Sequence, residues 1–304
     1  MNKLIKQAFT LIELLVVIAI IGILSGMIVV SMSGVTQKAT IAKAQVFSNS
    51  LRNSLMINLI AEYKLDGNGD DSWGTNHGII NGATSIPLGC VYNSCFNFDG
   101  NDFVNLPHSS INVFSAPEYS QEFWINQTSS SGCLLSSHNS VGNWWHGFCI
   151  SGGLIQLTMQ NGVENKWFVW TSTNAVVLTG RWTHIVVTWK RTGIIASDVK
   201  FYKDGVSIPL NASTSAGTYD NTFVPKYVLG DTVGTSIGRI NGDTPSFYFA
   251  GLMDNIRIYN AAMSTFQIQE QYYTGLNKLL ANGQVSAEEY QENVFKLSQY
   301  SANK

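Results

Sequence analysis

The chain has 304 residues, with 18 Lys and Arg against 20 Asp and Glu, and only 12% of its side chains are charged, about half the usual share. A formal charge of −2 over that length leaves no basic surface, which excludes binding dominated by nucleic-acid phosphates. The length exceeds a helix plus one small domain, so one large β-domain or two small ones are expected, and the abundance of Gly, Ser, Thr and Asn suits an extracellular β-rich protein.

Residues 9–30, FTLIELLVVIAIIGILSGMIVV, form an apolar run behind a short leader that carries Lys3 and Lys6. About 20 such residues in a helix are long enough to cross a bilayer. Glu13 interrupts the run, and a carboxylate there costs roughly 2.5–3.5 kcal/mol on insertion scales. No basic residue lies between it and Val30, so its nearest partner is the amine that a cut between Ala8 and Phe9 would free. An ordinary secretory signal is cut beyond its apolar core, at a small-x-small site. The basic leader, Ala8 and the run Phe9-Thr-Leu-Ile-Glu-Leu14 resemble the prepilin motif of type IV pilins and pseudopilins. That resemblance implies a membrane-embedded prepilin peptidase that cuts after Ala8, methylation of the Phe9 amine, and pairing of Glu13 with the amine of a neighbouring subunit. Two departures are visible: Ala8 replaces the commoner Gly, and no proline interrupts the helix. Loss of Lys3 and Lys6 with the leader, residues 1–8, moves the formal charge from −2 to −4.

The helical period continues to about residue 59. Met32, Val35, Ala39, Ala42 and Val46 recur at alternating spacings of three and four, and Leu51 and Leu55 prolong the stripe. This Ala-rich face suits packing between helices in a filament, or packing of its last turns on the chain's own head.

From about Ile60 the period changes to two. Gln121–Asn126, Leu154–Gln160, Trp182–Lys190, Val199–Lys203 and Gly251–Tyr259 read as strands between Gly-, Ser- and Asn-rich turns, the pattern of a β-sandwich or jelly roll. Lys203-Asp204-Gly205 is a hairpin turn signal. Cys90, Cys95, Cys133 and Cys149 all follow the membrane segment, where the compartment is oxidising. Of three pairings, Cys90–Cys95 with Cys133–Cys149 is favoured, because the second pair brackets Val141-Gly142 symmetrically, as facing hairpin positions do. A zinc site is the rival, without a CxxC or clustered histidines to support it. Helix returns after residue 262: Ser264 with Gln267 and Ser286 with Glu289 have capping-box spacing, and Asn282-Gly283 is a stop. Ser264–Gly275 reads as a helix closing the β-domain and Leu276–Tyr300 as a small helical hairpin.

Three stretches then carry a second resemblance. They are Tyr63-Lys-Leu-Asp-Gly-Asn with Asp71-Ser-Trp-Gly and Phe98-Asp-Gly-Asn-Asp-Phe-Val; Arg181-Trp-Thr-His-Ile-Val-Val-Thr-Trp with Phe201-Tyr-Lys-Asp-Gly; and Ile237-Gly with Phe249-Ala-Gly-Leu-Met-Asp-Asn-Ile-Arg-Ile-Tyr-Asn. In this order they resemble laminin G-like domains. The resemblance implies a mainly β fold, an antiparallel β-sandwich of the concanavalin A-like jelly-roll type over residues 60–262, preceded by the long membrane-spanning helix and followed by a helical tail, 263–304. It also implies adjacent first and last strands, and frequent use as a carbohydrate- or protein-binding module.

Asp66, Asn68 and Asp70 offer oxygens at alternate positions of a Gly-rich turn, as a hard cation requires. The loop is not an EF-hand, since Asp71 stands where Gly is needed and His77 where Glu is needed. The resembled domains often join such a loop to an aspartate of the last strand through a structural calcium, which would make Asp254 the fourth ligand. The same residues are also ordinary turn formers. Glu118 and Glu122 are the acidic pair on a suitable strand, but Ser120 between them leaves the glucanase-type carboxylate triplet incomplete, so no enzymatic activity is expected. His184 reads as a structural histidine within a strand. Asn143, Trp144, Trp145 and His146 lie in the turn of the expected disulfide-braced hairpin. Indoles beside amide and imidazole groups suit stacking on sugars, and equally suit covering the sandwich edge.

These readings converge on a single-pass protein of the cytoplasmic membrane with an extracytoplasmic head, carried to the cell surface or pilus on assembly. The expected role is a pilin-like surface subunit whose lectin-like head adheres to glycans or surface proteins. The alternative is a structural minor pseudopilin of a type IV pilus or type II secretion machine, without ligand binding. Expected partners are the prepilin peptidase, other pilins through the N-terminal helix, and the membrane.

Overall fold

The computed structural model describes residues 50, 53–106, 117–139, 144–161, 166–190, 199–214, 234–241 and 246–302. The leader, the membrane segment, Ala8, Phe9, Glu13 and Asn143 lie outside them. Among the described residues no helix is long and apolar enough to cross a membrane.

Period-two alternation builds the strands β1 (Leu59–Tyr63), β2 (Ile79–Asn81), β3 (Thr84–Ile86), β4 (Cys95–Asp99), β5 (Phe103–Leu106), β6 (Glu118–Gln127), β7 (Gly132–Asn139) and β8 (Trp144–Ser151). They continue as β9 (Leu154–Asn161), β10 (Lys166–Ser172), β11 (Thr183–Lys190), β12 (Val199–Lys203), β13 (Val206–Ile208), β14 (Leu210–Thr214), β15 (Thr235–Ile237) and β16 (Ala250–Tyr259). Two antiparallel sheets result. The first runs β13-β12-β11-β6-β16-β4-β3, with β1 also on β16; the second runs β14-β10-β9-β8-β7-β15-β5-β2. The first and last strands are neighbours, with Tyr63 opposite Ile256.

One core lies between the sheets. Tyr119, Phe123, Ile185, Val187, Phe201 and Ile258 come from the first sheet, and Leu135, Phe148, Leu157, Phe168 and Trp170 from the second, all essentially inaccessible. Burial on that scale supplies the main favourable term of folding. The Asp204-Gly205 turn between β12 and β13 has positive φ at both residues, 50° and 76°, as a tight hairpin turn needs.

Two helices follow β16. Ser264 caps α1 (Thr265–Ala281) through a complete capping box with Gln267, and Asn282 ends it. Contrary to the expected break at Gly275, α1 runs straight through. That residue is buried against Trp124, whose ring would meet a Cβ there, so the glycine sets a close approach of helix to sheet. The next helix, α2 (Ala287–Ala302), starts with Ser286 Oγ accepting from Glu289 N at 3.1 Å. Tyr272, Leu276 and Leu279 of α1 and Leu297 of α2 form a second cluster around Trp124 on the outer side of the first sheet.

Candidate ligand-binding face

Because the core lies on one side of the second sheet, alternate residues of its strands are directed to the other. On β8 the inward residues are His146, Phe148 and Ile150; the outward ones are Trp145, Gly147 and Cys149. Trp145 and His146 therefore serve opposite faces. Trp144 to His146 do not lie in a turn, as expected, but start the strand. His146 is fully buried beside the Tyr119 hydroxyl, 3.3 Å from Nε2, and burial holds its pKa down to about 3. It belongs to the core and is withdrawn from any ligand face.

Trp145 stays on the outer face. A Cβ at Gly147 would stand 2.5 Å from Trp145 Cζ2, so the indole lies flat across that glycine. In register with Trp145 are His138 of β7 and Gln160 of β9. The next row is Thr158, Gly147, Ser136, Ser236 and Asn105. Trp145, His138 and Asn105 are half-buried in these rows, whereas Gln160, Thr158, Ser136 and Ser236 are buried beneath them; an indole beside amide and imidazole groups is what stacks on a sugar ring and hydrogen-bonds its hydroxyls. Gln156, Thr158 and Gln160 escaped the sequence reading. Their signal was the alternation Leu-Ile-Gln-Leu-Thr-Met-Gln, with polar side chains at every second position.

Two disulfides are present. Cys133 pairs with Cys149 across β7 and β8, with Cα atoms 3.9 Å apart, and braces the two strands that carry the Trp145 row. Cys90 pairs with Cys95 and closes a loop before β4.

That loop organises the residues expected to hold calcium. Asp254 sits where β16 changes partner from β4 to β1, and its Oδ2 accepts from Val91 N and Tyr92 N, both at 2.9 Å. Asp66 accepts from Ser94 N at 2.9 Å and from Asn93 Nδ2 at 3.0 Å. Asn68 closes a local turn with Asp70 N, and Asp70 faces His77 at 3.6 Å. Asp66 and Asp254 thus share one loop, while Asn68 and Asp70 serve their own turn. Among the described residues no three His, Cys, Asp or Glu side chains make a metal-sized group. An ion at Asp66 and Asp254 would have to take the place of these amide hydrogens. Burial pushes the Asp254 carboxyl up to about 7, against the pull of the two amides.

The first sheet carries the other charged constellation, and it is sealed. Glu122, Arg257 and Glu62 face one another across β6, β16 and β1. Arg257 Nε reaches Glu62 at 2.8 Å and its Nη1 reaches Glu122 at 3.3 Å; His184 Nε2 and the Tyr259 hydroxyl meet Glu122 at 3.0 and 2.9 Å. Gln271 of α1 caps the guanidinium. Burial raises the Glu122 carboxyl, but Arg257 and the two hydrogen bonds outweigh it and hold the pKa below the ordinary value. Glu118, four residues along the strand at roughly 13 Å, pairs instead with Lys190 at 3.0 Å. A retaining glycosidase needs its carboxyls about 5.5 Å apart on an accessible face, and this pair meets neither condition.

Comparison with known proteins gives two family matches. The model for the concanavalin A-like lectin/glucanases superfamily matches residues 98–269, and the prokaryotic N-terminal methylation motif matches residues 5–29. Curated proteins yield no match. Among solved structures, the chain is similar to domain 4 of a GH43 extracellular arabinanase from Geobacillus stearothermophilus, solved in complex with arabinotriose. Identity is 20%, coverage 70% of this chain and 97% of that one, and the TM-score 0.51. It is also similar to the receptor binding domain of botulinum neurotoxin C/D mosaic serotype, at 14% identity, 73% and 52% coverage and a TM-score of 0.51. At such identities the likeness shows the fold.

Proposed function

From the premise that this chain belongs to the concanavalin A-like lectin/glucanases superfamily and carries the prokaryotic N-terminal methylation motif of type IV pilins, we propose that it is a pilin-like surface subunit whose β-domain binds glycans for adhesion. The carrying observation is the outer face of the second sheet, where the Trp145 indole lies over Gly147 in register with Gln160 and His138. The arabinanase domain captured with arabinotriose supports a sugar as the ligand of such a fold. Binding without hydrolysis is the reading that suits these strands, since no Asp or Glu occurs in any strand of that sheet to act as general acid or nucleophile.

In this reading the prepilin peptidase cuts between Ala8 and Phe9, residues 9–30 anchor the single-pass precursor in the cytoplasmic membrane, and Glu13 meets the Phe9 amine of a neighbouring pilin on assembly. The full chain in detergent, applied to a glycan array, tests the binding function. Binding that Trp145→Ala abolishes without a change in melting temperature is the expected result. Absence of binding to every glycan would refute it and leave the structural pseudopilin role.

A further inference from the structure

The charges of the two sheets are divided unequally. Strands of the first sheet contain Glu62, Asp99, Glu118, Glu122 and Asp254; strands of the second contain no carboxylate at all, in a chain whose formal charge is −2. Two largely enclosed arginines, Arg257 and Arg239, differ in the same sense. Arg257 has Glu62 and Glu122 as counter-ions. Arg239, two residues beyond β15 and only 8% exposed, has neutral partners throughout. Its Nε donates to Ser236 Oγ at 3.4 Å, and its Nη2 donates to Asn105 Oδ1 at 3.1 Å and Asn241 Oδ1 at 3.3 Å. The Phe103 ring lies beneath, 3.4 Å from Cζ to the centroid. Among the described residues no carboxylate pairs with this guanidinium, and no acceptor is bound to Nη1.

Burying a cation is costly unless it is paired, and a cation–π contact with neutral acceptors supplies only part of the compensation. The partners do one further thing: they clamp two of the three guanidinium nitrogens and leave the third for a ligand. Ser236 and Asn105 belong to the row that contains Gly147, under the Trp145 indole. Ser236 lies two strands from Gly147, ~10 Å along the sheet, within reach of a disaccharide.

We infer that the ligand of this face is an anionic glycan, carrying a carboxylate or sulfate that Arg239 receives while Trp145 stacks on a neighbouring ring. The inference rests on the glycan-binding reading above and adds the class of sugar. A rigid guanidinium with no carboxylate partner among the described residues gives the acid a charge-assisted bond, and that bond discriminates against the neutral analogue.

The test uses the full chain in detergent on an array of matched pairs. Uronic-acid glycans are set beside their carboxyl-methyl esters, sialylated glycans beside desialylated ones, and sulfated glycans beside desulfated ones. The expected result is a preference of about tenfold for the acidic member of at least one pair. That preference should weaken as salt rises and disappear in Arg239→Gln, while binding of the neutral member persists. Whether uronate, sialate or sulfate pairs show the preference identifies the source of the charge. Equal binding of acidic and neutral members by the wild-type protein overturns the inference and leaves glycan binding standing. Binding of no glycan overturns both. The wild-type comparison decides the class of sugar, and an acidic preference that persists in an Arg239→Gln variant still binding the neutral member overturns the role of Arg239.

Discussion

Asp254→Asn separates two roles for the buried aspartate at the junction of β4, β16 and β1. Its carboxyl ionises at 3.8 in an unperturbed chain and at about 7 in the folded protein, because burial outweighs the amides of Val91 and Tyr92. Between those values the folded state holds a proton that the unfolded state has lost, so stability falls as pH rises from about 4 to about 7 and is level above. At 1.36 kcal/mol per pH unit the gap corresponds to a ceiling of about 4 kcal/mol. Asparagine keeps an oxygen for both amides and carries no charge. The variant should therefore match the wild type near pH 4 and gain melting temperature over it progressively toward pH 7.5, in EDTA. Calcium bound by Asp66 and Asp254 reverses the prediction, since an ion favours the charged carboxylate. With calcium added at pH 7.5, the wild type would then become more stable and the variant would not. Thermal melts at several pH values, with EDTA and with calcium, read both effects. A variant less stable than wild type at pH 7.5 in EDTA refutes the argument that burial dominates at Asp254.

Other expectations follow from the same geometry. Arg257→Met leaves Glu122 and Glu62 buried without their cation and should cost about 3–5 kcal/mol in chemical denaturation; a loss below 1 kcal/mol would mean the network is not sealed. Since burial holds His146 down to about 3, its imidazole should remain neutral at pH 5 by NMR, and a protonated ring there contradicts its place in the core. Its unfolded counterpart takes a proton near 6.5, so His146 contributes a loss of stability as pH falls from 6.5 toward 3, opposite in sign to Asp254. Mass spectrometry of the mature chain should find methylated Phe9 at the N-terminus, and a chain still beginning at Met1 refutes the processing.

Local patterns carried the architecture. Period-two alternation, the Asp204-Gly205 turn, the symmetric placing of Cys133 and Cys149, and the Ser264–Gln267 box each depend on residues near one another, and each has its counterpart in the structure. What escaped depends on partners distant in the chain. Arg257 meets Glu62 across 195 positions, and nothing in either neighbourhood announces the pair. Gly275 reads locally as a helix break, yet Trp124 underneath makes it a contact point. Asp254 was legible as an unusual acid on a last strand, but only the topology shows that loop amides receive it. The Trp145–His146 division was within reach. Once β8 is read as a strand from Trp144, alternation sends one residue out and the next in.

The division of labour between the sheets has a physical basis that favours one location for specificity. On the first sheet, α1 covers Trp124, His184 and Arg257, and the charges beneath it neutralise one another. Exposing that face would break the packing around Tyr272 and Leu276 and reopen a buried ion network, a loss of several kcal/mol. The second sheet has no helix among the described residues packed on its outer side, and the side chains in its Trp145 and Gly147 rows include amides, hydroxyls, the His138 imidazole and, beside them, the Arg239 guanidinium, which has no carboxylate partner among the described residues. Ligand contact at that face disrupts no core packing. It can instead supply the anion that Arg239 has among none of its described neighbours. A ligand that gains affinity from the first sheet would have to displace α1, so binding there would lower the protection of α1 amides in hydrogen exchange. Binding at the Trp145 row leaves those amides unchanged and protects β7, β8 and β9.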